Sequence, residues 1–317
     1  MKPKAFFQII EQHLDSVYNF SYRVSNDAGR AEEQTREVFL RAYLGRAKLP
    51  DVELHAAWLM KIGVHVALGS QDGGSEYPLK ELSRELFVDS FRVPPESRAR
   101  QGPGVYDARM LQLGPWRVQV ILLDTRSFRD PLHRRGPGDV CASGHYSANP
   151  DPEARLLGDA QWHWLAEQLL QPADLRLIVS GIQVIPDSHC WEKWGNFPQE
   201  RARLFALIRQ QRAEGVILLS GDRHFADISR LPTAELGYPL YEVTASGLNS
   251  GSGRAPEPNP YRVLETSYSG DHFGLLRIAG PAEAPRLSLQ IRTPEGQRPL
   301  QFDIPLRALR FGADDDG

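Results

Sequence analysis

The chain has 317 residues, a formal net charge of −3 and a pI near 6.3. That length can bury a sizeable core as one large domain or two smaller ones, and the slight acidity excludes a global attraction to nucleic acid or to an anionic membrane. Only Cys141 and Cys190 are present, too few for a disulfide scaffold; they are two thiols or one bridge, and reduced thiols are expected.

The chain opens with Met1-Lys2-Pro3-Lys4-Ala5-Phe6-Phe7 and reaches Glu11, Gln12, His13 and Asp15 before a secretory apolar core could form. No segment has the length and hydropathy of a membrane span, so a soluble, cytoplasmic protein without membrane contact is expected. Through residue 68, apolar residues recur at helical spacing: Phe6, Ile9, Ile10, Leu14, Val17 and Tyr18, then Val38, Phe39, Ala42 and Tyr43, then Trp58, Leu59, Ile62 and Val66. Three helices follow, divided by Asn26-Asp27 and by Leu49-Pro50-Asp51.

The stretches His13 to Phe20, Glu33 to Tyr43 and Ala57 to Ile62 resemble region 2 of sigma-70-type initiation factors of the extracytoplasmic-function group. The resemblance implies a helical unit over 1–68 that contacts RNA polymerase through the surface around Glu33, Glu37 and Arg41. It stops near Leu68, before that family's promoter-reading turn, and no second helix-turn-helix region follows, so transcription initiation is not expected. Gly69, Gly73 and Gly74 form a breaker between residues 67 and 74. A second folded part is expected over 71–306, with 307–317 as a tail.

Beyond the breaker, Val118 to Leu123 reads as an apolar strand ending at Asp124. That residue can ligate a metal but is better read as ordering the turn of Thr125 and Arg126. Leu175 to Val184 reads as a second buried strand. The loop after it holds His189, a candidate general acid or phosphate contact, beside Trp191, Trp194 and Phe197, which read as a hydrophobic plug. Pro198 to Arg212 carries Leu204, Phe205, Leu207 and Ile208 at helical spacing. Val216-Ile217-Leu218-Leu219 is a third buried strand, and Gly221 is expected to permit the sharp turn at its end. Strand, helix and strand in that order predict parallel pairing, with ligands beyond the carboxyl ends of the strands.

That edge presents Asp222, Arg223 and His224. A carboxylate and an imidazole two residues apart suit a divalent metal, and the guanidinium between them suits the doubly charged face of a phosphate. Asp222 and His224 are therefore the candidate metal ligands, and Arg223 and His189 the candidate catalytic residues. The alternative for Asp222 is a strand-end carboxylate that caps a neighbouring backbone. Gln183 and Asn196 are expected at the same edge. Tyr238 to Val243 reads as a strand ending in the small polar run Thr244 to Asn249. Residues 250–260 and Asp271-His272 read as solvated loops, and Phe273 to Ile278, Arg286 to Arg292 and Leu300 to Ile304 as closing strands.

Several stretches in order resemble the carboxyl half of alkaline-phosphatase-D-like (PhoD-like) metallophosphatases over residues 71–298. They are Gly73 to Glu81, Arg117 to Arg126, Leu157 to Trp162, Ser180 to Val184, Trp191 to Pro198 and Ser220-Gly221-Asp222-Arg223-His224. The resemblance implies an α/β fold, a calcineurin-like sandwich of two sheets flanked by helices, here incomplete and preceded by an all-α segment. It also implies hydrolysis of phosphate mono- or diesters by divalent or trivalent metal ions such as iron, calcium, manganese or zinc. The glycine-serine-cysteine, Gly-Asp-x-x-Tyr and Asp-Asp-His-Asp type turns of that family's amino-terminal half are absent from the sequence. The expected activity is that of an impaired phosphatase or phosphodiesterase. A non-catalytic polymerase-binding protein and a fusion without an evolved joint role are the alternatives.

Overall fold

The computed structural model describes residues 3–25, 27–44, 75, 80–91, 93–136, 141, 144–248, 257–281 and 283–313. The chain divides into two compact units, Met1–Val105 and Tyr106–Gly317. The expected third helix, the breaker at 67–74 and the end of the tail from residue 314 lie outside the described residues.

In the first unit, α1 (Pro3–Ser25) and α2 (Ala28–Leu44) pack on each other. Asp27 Oδ1 accepts the Arg30 N–H at 2.8 Å and so satisfies one of the amides that the start of a helix leaves unpaired. Phe6, Ile9 and Val17 form a buried cluster with Val38, Phe39 and Ala42, the apolar stripe of each helix facing the other. Glu37 and Arg41, one turn apart, pair at 2.7 Å on the exposed surface. Two further helices, α3 (Lys80–Ser90) and α4 (Arg98–Gln101), are tied by Arg100, which donates to the carbonyls of Val88 and Val93 at 2.9 Å.

The second unit contains β1 (Asp107–Leu113), β2 (Trp116–Leu122), β3 (Leu175–Val179), β4 (Val216–Ser220), β5 (Ala226–Leu231) and β6 (Leu240–Ala245) in one sheet, ordered β1-β2-β3-β4-β6-β5. β2, β3, β4 and β6 are parallel; β1 and β5 are antiparallel at the two edges. A second, antiparallel sheet runs β7 (Phe273–Ala279), β8 (Arg286–Arg292) and β9 (Leu300–Pro305). The three closing strands and the parallel pairing across the strand–helix–strand unit thus form as expected.

Successive side chains along a strand point to opposite faces, and both faces of the large sheet are covered. On one face Ile121, Ile178 and Leu218 pack with Trp162 and Leu165 of α5 (Asp159–Leu169) and with Leu204 and Ile208 of α6 (Pro198–Gln210). On the other, Val118, Leu175, Ile217 and Val243 pack with Leu287, Leu289 and Ile291 of the second sheet. This double burial explains the unbroken apolar runs, each fully buried aliphatic contributing roughly 1.5–3 kcal/mol. The result is a mixed α/β sheet fold with helices at the amino terminus.

Three expectations are corrected. The strand expected to reach Val184 stops at Val179, because the Ser180 hydroxyl donates to Ile182 O at 2.7 Å and bends the chain out of the ladder. Cys141 and Cys190 are not two thiols: they form a disulfide across 49 positions. His272 is not in a solvated loop. It is buried, donates Nδ1–H to Gly270 O at 2.7 Å and accepts the Gly247 N–H at Nε2.

Candidate functional site

Because β3, β4 and β6 are adjacent and parallel, their carboxyl ends come together. Thr244 Oγ1, just inside the end of β6, lies 2.9 Å from Ser220 Oγ and accepts the Gln183 amide at 2.9 Å. Gln183 therefore turns its carbonyl oxygen to the buried His189, whose Nε2 stands 3.0 Å away and must carry the proton. His189 Nδ1 in turn accepts the Trp191 N–H at 3.2 Å. With both nitrogens engaged, the ring is neutral. Burial above all, then the charges of Arg223 and Lys193, lowers its pKa from 6.5 to about 2.

The segment carrying His189 is pinned at both ends. At its start the fully buried Glu242 carboxylate accepts the N–H groups of Val184 and Ile185, while Arg201 donates to the carbonyls of the same two residues at 2.6 and 2.7 Å. Burial raises the Glu242 pKa, against the pull of the Ser220 hydroxyl and those two amides. At its far end Cys190 is bridged to Cys141 and packs on Gly144, where φ is +98° and any Cβ would overlap the Cys190 backbone.

The turn after β4 is strained at its side chains, not at its glycine. Gly221 has an ordinary φ, whereas Asp222 sits at +70° and His224 at +58°. Arg223 N–H bonds back to Gly221 O at 2.9 Å, closing a γ-turn of the rarer positive-φ form around Asp222. Such conformations cost of order 1–3 kcal/mol in non-glycine residues and persist where neighbours enforce them. Here Ser246 Oγ accepts the His224 N–H at 2.9 Å, tying the turn to the end of β6. Asp222 and His224 are both exposed, and the Asp222 carboxylate makes no hydrogen bond or ion pair among the described residues.

Arg223 turns inward, only 10% of its side chain exposed, within cation–π range of Trp191 (5.4 Å) and Phe225 (5.7 Å). Its Nη2 donates to Glu257 Oε2 at 2.6 Å, and Trp191 Nε1 donates to the other oxygen, Glu257 Oε1, at 2.9 Å. Arg223 Nε is buried and has no acceptor among the described residues. Glu257 is held from behind by Arg262, which donates to its carbonyl and to the Asp227 carboxylate, all at 2.9 Å.

Lys193, a residue the sequence did not single out, is 4% exposed beside these groups. Burial above all, with Arg223 and Arg201 acting in the same direction and Asp187 and Glu257 against it, lowers its pKa from 10.5 to about 8. Gly195 makes room for its stem: a Cβ there would lie 3.1 Å from Lys193 Cε.

Of the expected neighbours, Gln183 and His189 join the site and Asn196 does not. The Asn196 side chain instead closes its own loop, accepting the Lys193 N–H at 2.8 Å and donating to Ser147 O at 3.1 Å. Trp194 and Phe197 belong to the core, as a plug should, but Trp191 leaves it to cover Arg223. Asp124 orders its turn through the N–H groups of Arg126 and Ser127, both at 2.9 Å. Among the described residues no group of three or more His, Cys, Asp or Glu is arranged to hold a metal. A polar cleft of about 480 Å³ opens beside α6, lined by Arg201, Arg209, Glu235 and Tyr261, and does not include the Asp-Arg-His turn.

The fold and site define a mixed α/β protein with a mostly buried arginine–glutamate pair at the carboxyl edge of its parallel strands. The PhoD-like phosphatase family model matches residues 93–272, more than half of the chain, and the protein belongs to that family. It is similar to a solved structure described as the structure of PhoD, with 17% sequence identity and a TM-score of 0.53 over 83% of this chain and 59% of that one. That likeness is one of fold, and this chain spans less than two thirds of that protein's length. A second structure, GAP50, described as the anchor in the inner membrane complex of Plasmodium, matches at 10% identity and a TM-score of 0.39 over 64% of this chain and 55% of that one, too low to carry an argument. No curated protein matches the chain. The family match begins at residue 93, and the sigma-type resemblance of residues 1–68 is not shown by these comparisons. Among the described residues no helix is long and apolar enough to cross a membrane.

Proposed function

We propose that this chain binds and slowly hydrolyses phosphoesters at the carboxyl edge of its parallel strands. Arg223 is the phosphate contact, and Asp222 and His224 are the donors to a metal ion. Membership of the PhoD-like phosphatase family supports a phosphoesterase-type, metal-dependent chemistry. The observation that carries the assignment is Arg223 itself: a guanidinium held nine-tenths buried between two exposed donors, with one N–H still lacking an acceptor among the described residues. A planar, permanently charged fork in a poorly hydrated position is what recognition of a phosphate requires.

The donor set limits the metal. Two donors fit one ion completed by water, of the iron, calcium, manganese or zinc type; they do not fit a pair of ions about 3.5–4 Å apart that clamps both the attacking and the leaving oxygen. When bound, such an ion supplies Lewis-acid polarisation. The chain's own contribution is to hold the phosphate at Arg223, beside the turn that carries Asp222 and His224. His189, neutral and bonded at both nitrogens, has a positioning role: it ties Gln183 to the backbone of Trp191.

Hydrolysis of a generic phosphomonoester and a phosphodiester, with manganese, iron, calcium or zinc added in turn, tests the reading. Weak metal-dependent turnover lost in Asp222→Ala and in His224→Ala is expected. Absence of turnover with every metal, or turnover indifferent to both substitutions, overturns it. Polymerase contact through residues 1–68 rests on resemblance, and a pull-down with the full chain reads it separately.

A further inference from the structure

Arg223 offers a side-on edge made of Nε and Nη2, the geometry with which a guanidinium grips two oxygens of one anion. In this structure the edge is half filled. Nη2 holds Glu257 Oε2, whereas Nε is buried without an acceptor among the described residues. Glu257 cannot turn both oxygens to the fork, because Trp191 Nε1 holds Oε1. The second cation, Lys193, is buried within the field of the same carboxylate and of Asp187, and its ammonium makes no hydrogen bond or ion pair among the described residues. Three cations, Lys193, Arg223 and Arg201, face two carboxylates, Glu257 and Asp187, which leaves one positive charge in excess and an unfilled donor among the described residues.

We propose that Lys193 and Arg223 together form a subsite for the dianionic phosphoryl group of a phosphomonoester, and that Glu257 is its internal stand-in, displaced from Arg223 Nη2 when the phosphoryl group binds side-on. The inference rests on the phosphoester reading above and adds to it the substrate class and the second recognition residue. A dianion with three terminal oxygens can meet Nε, Nη2 and the Lys193 ammonium at once; a diester, with one negative charge and two such oxygens, cannot. The groups that face Lys193 are Asp187, Glu257, Arg201, Arg223 and the neutral His189.

Calorimetric titration of the full chain with inorganic phosphate, without added metal, tests this. Loss of one charge-assisted contact lowers affinity by about tenfold, so Lys193→Met is expected to bind phosphate that much more weakly, and Lys193→Arg close to the parent. Glu257→Gln, which removes the competing charge, is expected to bind several-fold more tightly. Parent affinity should also fall as pH rises past about 8, where Lys193 loses its proton, while that of Lys193→Arg stays level. Circular dichroism of each variant confirms folding; should Lys193→Met fail to fold, the Lys193→Arg pH profile and Glu257→Gln decide alone. Equal affinity of Lys193→Met and parent, no tightening in Glu257→Gln, or no saturable binding in either parent or Glu257→Gln overturns the proposal. Phosphate bound in the expected pattern without any hydrolysis would sink the enzymatic reading and leave this one standing. Hydrolysis that persists with Lys193 irrelevant to phosphate would do the reverse.

Discussion

His189 Nε2 and Gln183 Oε1 stand 3.0 Å apart, a bond that fixes the proton on Nε2, and the ring is neutral because Nδ1 accepts the Trp191 N–H. Gln183 donates its amide to Thr244, so its oxygen can only accept, and a protonated His189 would lose the Trp191 N–H that Nδ1 now accepts. The folded-state pKa lies far below the unfolded value, so as pH falls below 6.5 the unfolded chain binds a proton that the folded chain refuses. Stability from this group is complete above that pH and declines below it. Urea midpoints taken at about pH 7.5 and about pH 5 should show a larger acid loss in the parent than in His189→Gln. Equal losses would mean that the ring is not held neutral.

Glu242 should tolerate glutamine better than alanine. Its carboxylate accepts two buried backbone amides, and leaving a buried donor without an acceptor costs about 1–3 kcal/mol each. Glutamine keeps one oxygen for them and removes a charge that burial disfavours; alanine keeps none and adds a cavity. Denaturant titration of the two variants gives the order, and a more stable alanine variant would contradict the anchoring role.

Reduction should loosen the segment that holds His189 and Lys193. The Cys141–Cys190 bridge closes a span of 49 residues, for which chain entropy predicts a stabilisation of about 4 kcal/mol. Thermal unfolding of the parent should shift downward on adding reductant, while Cys141→Ser with Cys190→Ser should already sit at the lower midpoint and not respond. Unchanged midpoints in both would exclude the bridge as a structural element.

His224→Gly should raise stability and abolish metal-dependent turnover together. The positive φ of His224 costs an ordinary side chain of order 1–2 kcal/mol that glycine avoids, although glycine also widens the unfolded ensemble. A variant both less stable than the parent and fully active would show that the residue is neither strained nor a ligand. Asp222→Gly is the companion measurement, with a smaller gain because aspartate tolerates the left-handed region better.

The reading of local pattern reached the scaffold. Val216 to Leu219 and Leu175 to Val184 announced strands covered on both faces, and the helix between them implied parallel pairing; the pairing holds, and the second strand stops at Val179. Asn26-Asp27 announced the break between the first two helices, and the Asp27 side chain accepts an amide at the start of α2. Edge strands were less legible. β5 follows the Asp-Arg-His turn at once, and its Asp227 and Ser229 look polar in sequence because they serve the Arg262–Asn259 network and not a core. Lys193 went unmarked because nothing local separates a buried lysine from a surface one.

The sequence by itself determined which segments are apolar on two faces, the order in which they alternate with helices, and hence that Asp222, Arg223 and His224 stand at a strand-end edge. These properties depend on side chains a few positions apart, and period and length carry them. Only the tertiary structure decided that Arg223 meets Glu257, 34 positions away, that Cys190 meets Cys141, and that His189 is neutral. Partner choice and the charge of a buried group depend on distance and dielectric at a packed site, and those exist only after residues remote in the chain have been brought together.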